Sequence, residues 1–173
     1  MNKINKSNIF DTFYRYTPIA LLFISVLNET DFNNLGLKYF SFNFSYILIF
    51  YYTLKKNETI GYGLIFTAGL FNDVVVGIPI GVSSLLYLLL CGAAAYLRNI
   101  TLRPSLIKDW IFFLLTILFI NSISFLVLTF IFSYEINYLD QIINILFTFL
   151  FYVLFVFIFN FIDKIIIGRR YAG

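Results

Sequence analysis

The sequence predicts an all-α integral membrane protein, a compact bundle of six transmembrane helices, and three observations carry that prediction. The 173 residues are 61% hydrophobic and only 12% charged, against about 25% charged in an average soluble domain. Apolar runs recur at lengths near the roughly 20 residues that cross a 30 Å hydrocarbon core. All but one of the Lys and Arg fall at alternate connections between those runs or at the termini. A chain this short has too little interior to hide so much Phe, Leu and Ile from water, so the bilayer is expected to cover the remainder.

Taken in order, the spans are Phe13–Leu27, Tyr39–Leu54, Ile60–Val76, Ile78–Leu97, Trp110–Phe132 and Gln141–Ile162. The first two lie near the lower length limit, and the last two are long. Lys3 and Lys6 precede the first run and Arg15 lies at its start, but no small-residue cleavage site follows at Leu27–Thr30, so this is expected to be an uncleaved first helix and not a signal peptide. Short connections, with no linker, low-complexity segment or visible repeat, make residues 1–173 a single polytopic membrane domain.

Orientation follows from the tendency of Lys and Arg in short loops to stay cytoplasmic. With both termini inside, Lys3, Lys6, Arg15, Lys55, Lys56, Arg98, Arg103, Lys108, Lys164, Arg169 and Arg170 all fall on the cytoplasmic side, eleven of twelve basic residues. Only Lys38 falls outside. Five or seven helices would scramble this separation.

Composition also argues against several chemistries. A net charge of +3 with scattered Lys and Arg gives no basic stripe for nucleic acid. A single Cys, Cys91, inside an apolar run permits no internal disulfide and reads as an inert buried thiol. With no His, the common zinc and transition-metal ligands are missing, no nucleophile and base pair stands out, and no cluster of carboxylates suggests magnesium. The expectation is a protein that is not an enzyme, with no catalytic residues, no metal site and no cofactor.

One segment carries a pattern. From Ile60 to Leu97 the chain runs thirty-eight residues with a single charge, Asp73, which predicts a helical hairpin. Its turn is signalled by Gly77-Ile78-Pro79-Ile80-Gly81, where glycine permits unusual backbone angles and Pro79 suits the first turn of the next helix. Small residues at Gly61, Gly63, Ala68 and Gly69, and at Gly81, Ser84, Gly92 and Ala95, predict close helix contact. A carboxylate at membrane depth costs about 2.5–3.5 kcal/mol on insertion scales, so Asp73 needs a partner. The free amides at the start of helix four would supply one and pin the hairpin. Alternatively, Asp73 is a substrate or proton site, or meets a basic residue of another protein.

At this stretch the sequence resembles the rod-shape-determining MreD family. The family's glycine-rich helix, Gly-Leu-x-x-Asp and Gly-x-Pro-x-Gly turn correspond to Gly69, Leu70 and Asp73, then Gly77, Pro79 and Gly81. The close match covers about forty residues, and length, helix count and cytoplasmic termini agree over the whole chain. The resemblance implies a component of the bacterial inner membrane within the cell-elongation machinery. It implies partnership with MreC and, indirectly, with the MreB filament, the RodA polymerase and a penicillin-binding transpeptidase. It also implies a fold like the substrate-binding subunit of energy-coupling-factor transporters. A small-molecule transporter, or such a subunit, is the alternative function that the six-helix size and lone intramembrane carboxylate allow.

Other features have plainer expected roles. Asn121, Ser122 and Ser124 in helix five, and Asn144 and Thr148 in helix six, are expected to hydrogen-bond between helices for about 0.6 kcal/mol each. Arg98, Arg103, Arg169 and Arg170 read as orientation signals and contacts to anionic membrane lipids. Tyr14, Tyr16, Tyr51, Tyr52, Trp110, Tyr134 and Tyr138 are expected at the membrane interfaces.

Overall fold

A computed structural model describes residues 17–26, 41–55, 60–101, 105–134 and 137–171, the last seven for their backbone only. Among the described residues six helices follow one another: α1 (Thr17–Val26), then α2 (Phe44–Lys55), α3 (Tyr62–Val76), α4 (Val82–Ile100), α5 (Leu106–Leu126) and α6 (Tyr138–Tyr171). A π-helical turn, Val127–Ile131, extends α5. No strand occurs among the described residues. Every predicted span therefore contains a helix, with shifted ends. The start of the first span (13–16), the connection 27–40, Lys3, Lys6, Arg15, Lys38, Lys56, Arg103, Tyr14 and Tyr16 lie outside the described residues, as do the side chains of Arg169 and Arg170.

The helix α2 is the axis of the bundle. Its sequence shows no polar face, and every residue from Ser45 to Leu54 is buried; a helix that is apolar all round has to be enclosed. It packs on α4 and α6, and α4 in turn packs on α3 and α5. The Ser25 and Ser45 hydroxyls meet at 2.7 Å between α1 and α2. Aromatic rings fill the other side: Phe50 lies 4.9 Å from Phe113, which stacks on Tyr152 at 4.4 Å.

The outward surface is apolar instead of polar. Phe130 is 75% exposed, Ile80 74% and Val74 68%, an arrangement whose cost in water hydrocarbon removes. Three helices, Val82–Ile100, Leu106–Ile131 and Tyr138–Lys164, are each long and apolar enough to cross a membrane.

Two expectations are corrected, and a third residue has an added role. Tyr51 and Tyr52 are not interfacial but buried in the core, at 1% and 6% exposure, because α2 is sheathed by its neighbours. Trp110, expected at the membrane interface, lies near the start of α5, stacks on Phe149 with ring centroids 4.5 Å apart and donates Nε1 to the Phe149 carbonyl, so it also locks α5 to α6. The helix α4 begins at Val82, not Ile78; Pro79 therefore lies in the turn, where its carbonyl accepts from the Val82 amide at 3.3 Å.

Candidate functional site

The singular carboxylate sits where the chain reverses between α3 and α4. Its helix ends because Gly77 adopts a left-handed conformation, φ 76°, which favours glycine. The Asp73 carbonyl then accepts two amides, Gly77 at 2.9 Å and Ile78 at 3.1 Å, the bond pattern that closes a helix through an αL residue. A second left-handed glycine, Gly81 at φ 102°, leads into α4. The first amides of α4 have no partner within their own helix. Asp73 supplies one from across the turn: Gly81 N–H donates to Oδ2 at 2.6 Å and Ser83 N–H to Oδ1 at 2.8 Å.

Main chain and side chain of one residue thus fix both ends of the turn. Charge-assisted bonds from backbone amides are roughly twice as strong as neutral ones, and the helix N-terminal dipole favours the negative charge. Asp73 is completely buried. Beside it, Asn72 Nδ2 donates to Ser83 Oγ at 2.9 Å, while Asn72 Oδ1 is buried with no hydrogen-bond partner among the described residues.

The glycines divide by function. A Cβ on Gly69 would stand 2.4 Å from Ser84 Cα and 2.6 Å from Ser84 N, so Gly69 is the point where the two backbones touch. Ser84 Oγ fastens that crossing by donating to the Phe66 carbonyl at 2.9 Å. Gly61, Gly63 and Gly92 have open space at Cβ, which corrects the expectation that they too draw helices together. Gly77 and Gly81 are equally open; they are needed for backbone angle, not for room. The structure therefore brings Gly69, Asp73, Gly77 and Gly81 into one hairpin device, with Pro79 at its tip.

A second polar cluster, at the opposite end of the bundle, was not legible as such. Lys55 Nζ pairs with Asp109 Oδ2 at 3.1 Å, the acid side chain only 5% exposed. Arg98 Nη1 donates to the Thr53 carbonyl at 2.9 Å, satisfying an orphan acceptor of the α2 C-terminus. Tyr51 donates its hydroxyl to Asn160 Oδ1 at 3.0 Å, with Asp163 Oδ2 at 3.4 Å. The last turn of α2 is thereby tied to α4, α5 and α6. The available signal was acids at the edges of apolar runs, Asp109 beside Trp110 and Asp163 after Ile162, which the reading of Lys and Arg alone passes over.

The mid-helix amides behave unevenly. Asn121 Nδ2 and Ser122 Oγ turn back to the Ile117 and Leu118 carbonyls of their own helix, contrary to the interhelical role expected of them, because those carbonyls lie within reach one turn back. Asn144 donates to Ser41 Oγ at 2.7 Å, and Thr148 Oγ1 accepts the Asn43 amide at 2.8 Å, so these two do bridge α6 to the residues leading into α2.

Comparison with protein-family models, with curated proteins and with solved structures finds no match for this chain.

Proposed function

We propose that this chain is a non-enzymatic, multi-pass component of the bacterial inner membrane, with both termini cytoplasmic, that serves the cell-elongation complex as a scaffold. In this reading it holds MreC and, through it, connects to MreB, RodA and a penicillin-binding transpeptidase. The support is the resemblance of the Gly69–Gly81 segment to MreD, and one observation carries it: both oxygens of the sole carboxylate in that segment are occupied by backbone amides. Residues used in this way build a rigid hairpin, which suits a scaffold. A transporter would ask the same carboxylate to receive a ligand or proton, and here it already serves two donors of its own chain.

The test is depletion in a rod-shaped host together with detergent co-purification. Rounded or widened cells, and MreC recovered with the tagged chain, are the expected results. Normal cell width with no MreC recovered would remove the proposal. A panel of vitamins that raised thermal stability by several degrees would favour the transporter instead, since a ligand at 100 times its Kd adds about 2.7 kcal/mol.

A further inference from the structure

The outer ends of the helices are not level. At the inner end, Arg98 of α4 reaches Thr53, and Tyr51 of α2 reaches Asn160 of α6. Moving outward, Thr53 lies beside Cys91, with Oγ1 and Sγ 3.4 Å apart, and Tyr46 beside Tyr87, with rings 5.8 Å apart. Helices α2 and α4 therefore run abreast, and the start of α4 at Gly81 comes level with the residues just before α2. Those residues, Ser41 and Asn43, bond Asn144 and Thr148 of α6. Yet α6 continues outward to Tyr138, a further six to ten residues, or roughly 10–15 Å of helix. α5 accompanies it: Gln141 reaches the Asn121 carbonyl, and Phe125 packs on Tyr138 at 5.2 Å.

The α3–α4 tip is therefore recessed below the α5–α6 end. Its helix α3 has only 15 residues, about 22 Å of rise against a hydrocarbon core of about 30 Å. The tip is also apolar, with Val74, Val76 and Ile80 exposed and its single charge turned inward. Above it, the projecting end of α5–α6 exposes Leu126, Phe130, Leu139 and Ile142.

We propose that the α3–α4 tip ends inside the hydrocarbon, beneath a notch in the bundle filled by phospholipid acyl chains. Acyl chains fit because tip and projecting end offer exposed apolar side chains, and because the one carboxylate is neutralised internally. The inference rests on the reading of this chain as a multi-pass membrane protein.

The test uses the full chain in dioleoyl-phosphatidylcholine nanodiscs, with single cysteines in a Cys91→Ala background and a water-soluble maleimide reaching both faces. Asp140→Cys marks the projecting end and Leu115→Cys the middle of α5. Because a thiol in hydrocarbon stays protonated and unreactive, Ile80→Cys and Leu115→Cys should both react at least about tenfold more slowly than Asp140→Cys. A bimane at position 80 should be quenched more strongly by nitroxide on the acyl chain than on the headgroup. Ile80→Cys reacting as fast as Asp140→Cys, with Leu115→Cys protected, would overturn the notch alone. Protection without acyl-chain quenching would do the same, by showing that something other than acyl chains covers the tip. Fast reaction of Leu115→Cys would remove the membrane reading itself.

Discussion

The two hairpins, α3–α4 and α5–α6, reverse the chain in the same direction by opposite means. In α3–α4 the backbones touch at Gly69 and Ser84, and one aspartate fastens four amides of the turn, two through its main-chain carbonyl and two through its carboxylate. In α5–α6 the helices are held by side chains: Trp110 stacks on Phe149 and Phe113 on Tyr152. Their far end loosens into a π-helical turn before reversing through Ser133. Close backbone contact gains dispersion without needing a hydrophobic driving force, which lipid does not provide between helices. Aromatic interdigitation instead spreads the energy over many contacts. One hairpin should be broken by single atoms, whereas the other should resist them.

The sharpest way to break the contrast is Gly69→Ala. One methyl group would be driven into the Ser84 backbone, which cannot move as a side chain can, and overpacking of this kind costs about 1–3 kcal/mol. We expect the upper end of that range in reversible unfolding from micelles, and no loss in Gly63→Ala or Gly92→Ala, whose Cβ positions are open. Equal effects at the three positions would show that α3–α4 does not depend on that one contact.

Asp73→Ala comes next. It leaves the Gly81 and Ser83 amides without their acceptor in a buried site, where each unsatisfied donor costs about 1–3 kcal/mol; relaxation of the turn should hold the total near 2–3 kcal/mol. Asp73→Asn keeps one acceptor oxygen and should lose less. Stability unchanged in both variants would mean that the hairpin is held by Gly69 and Ser84 alone. Gly81→Ala should cost about 1–2 kcal/mol, because φ 102° is a conformation an L side chain adopts only under strain. The effect should not grow steeply with side-chain size, since open space surrounds the position. Gly81→Leu much worse than Gly81→Ala would restore the view that Gly81 makes room for a neighbouring helix.

Helix existence was legible because long, continuous apolar runs favour helices over strands. The turn was legible because glycine and proline mark reversals. The sequence also marked Asp73 as needing a partner, since charges inside long apolar runs rarely go unpaired, and the helix-four amides were the nearest donors. What a sequence does not display is which face of a uniformly apolar helix turns inward. Tyr51 and Tyr52 therefore looked interfacial, although α2 is enclosed, and Gly69 looked no different from Gly63. The pairing of Lys55 with Asp109 joins residues fifty-four apart, a distance at which only the packed bundle decides the partner. Likewise, Asn121 and Asn144 are the same residue type in similar runs; only the positions of their neighbours sent one amide to its own helix and the other across.

The smallest expected effect concerns the α5–α6 reversal, which has no glycine. Ser133 has φ 53°, the left-handed region that α3–α4 reserves for Gly77 and Gly81. A non-glycine residue there costs about 1–2 kcal/mol. Ser133→Gly removes that cost but adds chain entropy to the unfolded state, worth about 0.5–1 kcal/mol in the opposite direction. The balance should be a gain of about 0.5 kcal/mol, opposite in sign to Gly81→Ala. A loss on Ser133→Gly would show that the serine side chain has a stabilising role at this reversal, and the two hairpins would then differ less than their packing suggests. A gain would mean that α5–α6 tolerates a strained reversal because Trp110, Phe113, Phe149 and Tyr152 already hold its helices together well below the turn.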